Sequence, residues 1–178
     1  MKKFFYVITL LLLTINTSCE ELNRLTVFEL DYESNFTVAS TTIVDIPISL
    51  ETPPVPTNSE SEFESNNTSS SLIESIQLKK LRLIVENPND GDFNFLREVH
   101  LFIDAEGLEE AEIAFAENLE NQDLQIIELE TTGVELKDFL KQDTFTLRAS
   151  TTTDETINED YNIKVDCVFR VDANILGL

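Results

Sequence analysis

Apolar and polar residues alternate along most of this chain. From Thr26 the even positions Phe28, Leu30, Tyr32, Phe36 and Val38 are apolar, with Glu29, Asp31, Glu33, Asn35 and Thr37 between them. A period of two marks a strand with one face on a core and the other in water. Ser34-Asn35 offers a point at which it could divide in two. The alternation resumes at Val44, Ile46, Ile48 and Leu50, where Pro47 has no N–H to give a ladder and so predicts a sheet edge. Ile76 and Leu78 alternate in one phase and Leu81, Leu83 and Val85 in the other, so one extra residue at Lys79-Lys80 predicts a β-bulge. Past the turn sequence Asn87-Pro88-Asn89-Asp90-Gly91, Phe93 and Phe95 lead into Val99, Leu101 and Ile103. His100 and Phe102 then fall on the other face, where a lone His reads as a surface or cross-strand partner. Leu124, Ile126, Ile127 and Leu129 predict a short strand, and Phe145, Leu147 and Ala149 another. The clearest comes last: Tyr161, Ile163, Val165, Cys167, Phe169 and Val171 point one way, and Asn162, Lys164, Asp166, Val168 and Arg170 the other.

Two stretches carry a different pattern. In residues 108–119, Leu108, Ala111, Phe115 and Leu119 fit helical spacing, yet Ala111, Ile113 and Phe115 also alternate as in a strand. Neighbouring strands and a turn at Gly107 favour the strand. In residues 135–142, Leu136, Phe139 and Leu140 share one helical face, which predicts a turn or two of helix over an open end of the sheets. Residues 51–71 hold Pro53-Pro54-Val55-Pro56 and then a run of Asn, Ser, Thr and Glu; they predict one long polar loop, pinned at most by Phe63.

Some eight strands, turns between them and one short helix predict an all-β fold, an antiparallel β-sandwich over residues 25–178. A barrel is the alternative. A transmembrane barrel is disfavoured, because the faces opposite the apolar ones are heavily charged and girdle aromatics are few.

The N-terminus has its own logic. Met1-Lys2-Lys3 is a positive start, followed in residues 4–15 by a twelve-residue apolar run interrupted by Thr9 and Thr14, then Asn16-Thr17-Ser18-Cys19. A helix of that length covers about 18 Å of a hydrocarbon core about 30 Å thick, too little to span it, which suits a signal peptide. Thr17-Ser18-Cys19 resembles the lipobox of bacterial lipoproteins, with Asn16 standing where that family usually has Leu. The resemblance implies removal of residues 1–18 and acylation of Cys19, with residues 19–24 as a short tether. Glu20, in place of the Asp that often retains such proteins at the inner membrane, implies the outer membrane, and Glu20-Glu21 resembles surface-export signals. The membrane is thus the expected partner, through lipid on Cys19, on either the periplasmic or the cell-surface side. With Cys19 acylated, Cys167 has no disulfide partner and reads as a small buried hydrophobe.

Charge and composition narrow the chemistry. The 178 residues hold 34 Asp and Glu against 12 Lys and Arg, a charge of −22; loss of Lys2 and Lys3 with the leader takes it to −24. Such a body repels phosphates, which excludes nucleic acid and leaves membrane attachment to acyl chains. One His and two Cys supply almost nothing for zinc or a His-based triad. Asn87, Asn89, Asp90, Asp92 and Asn94 offer oxygens in a turn, as calcium requires, although Arg97 stands where an EF-hand would place its bidentate Glu. Acid pairs such as Asp104 with Glu106, Glu109 and Glu110 with Glu112, Asp154 with Glu155 and Glu159 with Asp160 could serve a hydrolase only if two carboxylates met in a cleft. The expectation is a non-catalytic binding or structural module without a cofactor, with a calcium-dependent adhesion domain and a small acid-pair hydrolase as alternatives. A cavity between the sheets would point instead to an apolar ligand.

Overall fold

The computed structural model describes residues 26–40, 47–119, 123–153 and 155–174. Among them the chain forms two antiparallel sheets packed face to face, the sandwich that the alternation predicts. In spatial order the first sheet runs β1 (Val27–Val38), β10 (Tyr161–Ala173), β4 (Ile73–Asn87) and β7 (Ile126–Glu128). The second runs β2 (Pro47–Glu51), β9 (Thr144–Thr153), β5 (Leu96–Asp104), β6 (Ala111–Glu117) and β8 (Glu130–Thr131). A further short strand, β3 (Val55–Pro56), pairs with β9 in line with β2. The leader, Cys19 and the tether lie outside the described residues, as do Val44 and Ile46.

The core is the set of inward positions of both sheets. Leu81, Val165, Phe169 and Val171 of the first sheet and Leu101 and Ile103 of the second are fully buried. Each such side chain contributes about 1.5–3 kcal/mol when taken out of water. Tyr32, Phe145 and Phe169 meet edge to face across the two layers, with centroids 5.4, 5.8 and 6.1 Å apart. Cys167 is sealed in β10, where burial, with a contribution from Asp166, pushes its thiol pKa far up. It is therefore an inert core residue.

Register decides several expectations. β10 sets Val168 against Lys80 and Phe169 against Leu78, so Lys79 is the extra residue of the predicted bulge. Pro47 stands at the outer edge of the second sheet. Residues 111–117 are a strand, and Leu136, Phe139 and Leu140 bury against β4 and β9 from the short helix α2 (Lys137–Leu140), with Leu136 at its cap. Ser34-Asn35 does not divide β1: both residues stay in register, opposite Val165 and Lys164, because β10 runs uninterrupted beside them.

Other expectations need correction. Leu101 lies opposite Ala114 and Phe102 opposite Glu112, which leaves Ile113 as an extra residue in β6. Ile113 and Ala114 are both buried, and Phe115 is turned to the outer face instead of the core. Residues 124–129 are not one strand: β7 pairs with β4 in the first sheet, Leu129 is buried at the crossing, and β8 pairs with β6 in the second.

The 51–71 connection is structured. It contributes β3, a helix α1 (Ser59–Ser65) and a 3-10 turn at Ser70–Leu72. Seven residues with a single apolar side chain cannot hold a helix alone. Phe63 supplies the support: it is wholly buried and meets Phe28 edge-on at 6.5 Å. Tyr32 Oη of the first sheet donates to Thr57 O at 2.7 Å while β3 pairs with β9 of the second, so the segment bridges both sheets, and Thr57 Oγ1 donates to Gln142 O at 2.6 Å.

Candidate functional site

The oxygen-bearing turn is knit into a network of its own. A cis peptide joins Asn87 to Pro88, and Gly91 N–H donates to Pro88 O at 3.0 Å. A Cβ at Gly91 would come within 2.9 Å of both Pro88 and Tyr161, so this position needs glycine for close approach. Asp92 Oδ1 accepts the Asn94 backbone N–H at 2.9 Å, and Asp92 Oδ2 accepts Asn94 Nδ2 at 3.2 Å. That is the turn-forming work Asp does beside its own backbone. Asn94 and Asp123 exchange two further bonds, Nδ2 to Oδ1 at 2.7 Å and Asp123 N–H to Asn94 Oδ1 at 2.9 Å. Asn89 O accepts Gln125 Nε2 at 3.3 Å. The structure thus joins Asn89, Asp92 and Asn94 to residues 123–125. Among the described residues no group of three or more His, Cys, Asp and Glu side chains is arranged to hold a metal ion.

Glu110 and Glu112 separate on the outer face of the second sheet, and Asp154 lies outside the described residues. Arg148 grips Glu110 with two bonds of 2.6 Å and holds the carboxyl below its usual range against an opposing desolvation. The same guanidinium lies 4.4 Å above the Phe102 ring. Glu112 Oε1 stands 2.6 Å from His100 Nδ1, whose ring stacks on Phe115 at 6.1 Å. His100 is thus a cross-strand partner of Glu112. Asp160 Oδ1 accepts the Ser40 backbone N–H at 2.8 Å. Neighbouring Glu110 and Glu112 are each tied to a different base on an open sheet surface, an arrangement without the cleft that paired acid chemistry requires.

The space found between the sheets among the described residues is small. The interior cavity bounded by Phe36, Leu83, Phe95 and Ile163 measures about 20 Å³, room for one water and far below the several hundred Å³ of a ligand pocket. Larger hollows open to solvent include two at the surface of the described residues. One, of about 540 Å³, lies beside α1 and is lined by Thr57, Asn58, Glu60, Glu64, Lys141 and Asp143. All of these are polar, so burial there gains little.

The other hollow is a groove of about 480 Å³ between β6 and β7, where the chain crosses from one sheet to the other. Phe115, Ala116, Leu119, Leu124, Ile126 and Ile127 supply its apolar surface. Leu124 is 37% and Ile126 52% exposed, two of the three large apolar side chains left in solvent among the described residues. Alternation alone assigns Leu124 and Ile126 to a strand without saying that they stay in water. The legible hint was Ile126-Ile127, since adjacent residues of a strand face opposite ways.

Among the described residues no helix is long and apolar enough to cross a membrane. No family model matches the chain, and no curated protein matches it. Some solved structures are similar in outline. The capsid asymmetric unit of cyanophage Pam1 is 8% identical, over 82% of this chain and 86% of that one, with a TM-score of 0.40. The decameric BFDV capsid protein is 8% identical over 82% and 99%, TM-score 0.37, and FlhE is 9% identical over 82% and 98%, TM-score 0.33. Likeness at this level transfers no partner or activity to this chain.

Proposed function

We propose that this chain is a lipoprotein of the Gram-negative outer membrane. In this reading residues 1–18 are removed, Cys19 carries the acyl chains, and the sandwich serves at the membrane as a non-catalytic binding or structural accessory module. The observation that carries it is Cys19 itself, set directly behind Thr17-Ser18 at the end of a short apolar run. Burial of Cys167 supports it, because the chain has two cysteines and only the other one is left for acyl transfer. The start of β1 at Val27 keeps the body within about 30 Å of the lipid, so whatever it binds is met close to the membrane. With a mature charge near −24, attachment falls to lipid and not to headgroup attraction.

Radiolabelled palmitate tests this directly. The wild type is expected to take up label and partition with membranes, and Cys19→Ala to do neither. Label persisting in Cys19→Ala would overturn the assignment. Protease added to intact cells then sorts a surface from a periplasmic orientation.

A further inference from the structure

We propose that the groove between β6 and β7 receives an extended segment of a partner protein in which apolar and basic residues alternate. This deepens the reading of the chain as a binding module and names the chemistry of what it would bind. Both sheets stop short at this seam. β7 covers only Arg82–Ile84 of the fifteen-residue β4, and β8 covers only Ala114 and Phe115 of the seven-residue β6. Between these truncated edges Leu124 and Ile126 stand in solvent, a cost that contact with another apolar surface would remove. An extended chain suits a hollow bounded by strand edges, because its side chains point alternately into the groove and toward the rim.

The rim selects the partner's charge. Glu117, Glu128 and Glu130 line the groove, and no Lys or Arg is among its described lining residues. Lys80 reaches Glu128 from outside at 3.2 Å, with both side chains well exposed, so that pair is weak and exchangeable. A second copy of this chain would bring the same acids and a like net charge against the rim. A basic, apolar strand satisfies floor and rim together: period two sends valine-like side chains to Ile126 and lysine-like ones to the glutamates.

The test uses a short fluorescein-labelled peptide of alternating valine and lysine, titrated by anisotropy with the mature chain, both lipid-bearing in detergent and as Cys19→Ala. Both forms are expected to bind it and to ignore the counterpart with glutamate for lysine. Ile126→Asp and Glu130→Lys, at positions already exposed to water, are each expected to weaken binding about tenfold with an unchanged melting temperature. Glu60→Lys in the hollow beside α1 is the control and is expected to leave affinity unaltered. A loss with Glu60→Lys equal to that with Glu130→Lys would show attraction by bulk charge and overturn the proposal. So would absence of binding, binding by the lipid-bearing form alone, or a dimer in solution that Ile126→Asp abolishes. Because the Cys19→Ala chain reports on the groove without the anchor, failure of one reading leaves the other standing or falling on its own data.

Discussion

Glu135 clasps the backbone of Ile76 through its carboxylate, and the residue after it closes the clasp. The Ile76 backbone N–H donates to Glu135 Oε1 at 2.9 Å, while the amide that follows Glu135, Leu136 N–H, donates to Ile76 O at 2.8 Å. Glu135 Oε1 also accepts the Lys137 N–H at 2.9 Å, and Oε2 accepts the Ser75 hydroxyl at 2.6 Å. One carboxylate thus ties the first turn of α2 to β4, taking up orphan donors of a helix start.

Desolvation pushes the Glu135 carboxyl up, but the bonds from Ile76, Ser75 and Lys137 outweigh it and hold the group below its ordinary value. A depressed folded pKa means stability present in full above the unfolded value, about 4.3, and lost as pH falls through the folded one. Glu135→Ala is therefore expected to cost about 1–2 kcal/mol at neutral pH. Urea melts should show the gap between variant and wild type narrowing as the medium is acidified below the ordinary carboxylate range. A gap independent of pH would mean that the carboxylate's charge has no part in the clasp.

The two tyrosines of the described body give an alkaline signature. Burial, with Glu62 adding to it, pushes the Tyr32 phenol up to about 12. Tyr161 is raised as well, first by burial and then by Asp92, Glu159 and Asp90, against an opposing bond from the Asp92 backbone. With no Trp in the chain, absorbance near 295 nm reports phenolate cleanly. The mature protein is expected to show no ionisation step at the ordinary value near 10. Tyr161→Phe should leave a single transition near the raised value of Tyr32, about 12. For a raised phenol the stabilisation is complete below the unfolded pKa and disappears as pH rises through the folded one, so the fold should weaken between about pH 10 and 12.

Sheet architecture was legible wherever burial obeys a strict period of two. β10 reads straight from its residues, and the slip at Lys79 shows in the sequence because the apolar phase changes across it. The slip at Ile113 does not show, because Ala114 and Phe115 leave an apolar residue facing the core in either phase. The switch of residues 126–131 between sheets is hidden for a related reason: alternation says that a strand has a core face but not which sheet it joins. α1 has one apolar residue and hence no helical period to detect, and the Glu135 clasp joins positions 59 residues apart. The groove was least legible of all, since its exposed Leu124 and Ile126 depend on where neighbouring strands stop.

Phe63 is the single apolar support of α1, and its removal should show how far the 51–71 connection depends on it. Phe63→Ala deletes a wholly buried ring from contact with Phe28 and is expected to cost about 3–5 kcal/mol. Loss of the anchor leaves α1 too short to persist, so limited proteolysis should cut residues 57–69 faster than in the wild type while the sheets stay protected. Ser61→Ala, at an exposed position of the same helix whose hydroxyl bonds only Asn58 O at 2.9 Å, should change neither stability nor cleavage by comparable amounts. Uniform cleavage across the molecule would show instead that α1 and the sheets unfold together.

Asp92 separates a turn held by its own hydrogen bonds from one held by a cation. Both of its carboxylate oxygens already accept from Asn94, and Asn94 in turn exchanges bonds with Asp123, so the turn closes with protein partners alone. Asp92→Ala is then expected to destabilise by about 1 kcal/mol through lost turn bonds, equally with calcium and with a chelator. Millimolar calcium is expected to leave the melting temperature of the wild type where it stands, because a ligand that binds only the folded state would raise it. A calcium-dependent rise that Asp92→Ala removes would instead assign the oxygens of Asn87, Asn89, Asp90 and Asp92 to an ion, and would make calcium part of how this protein engages its partner.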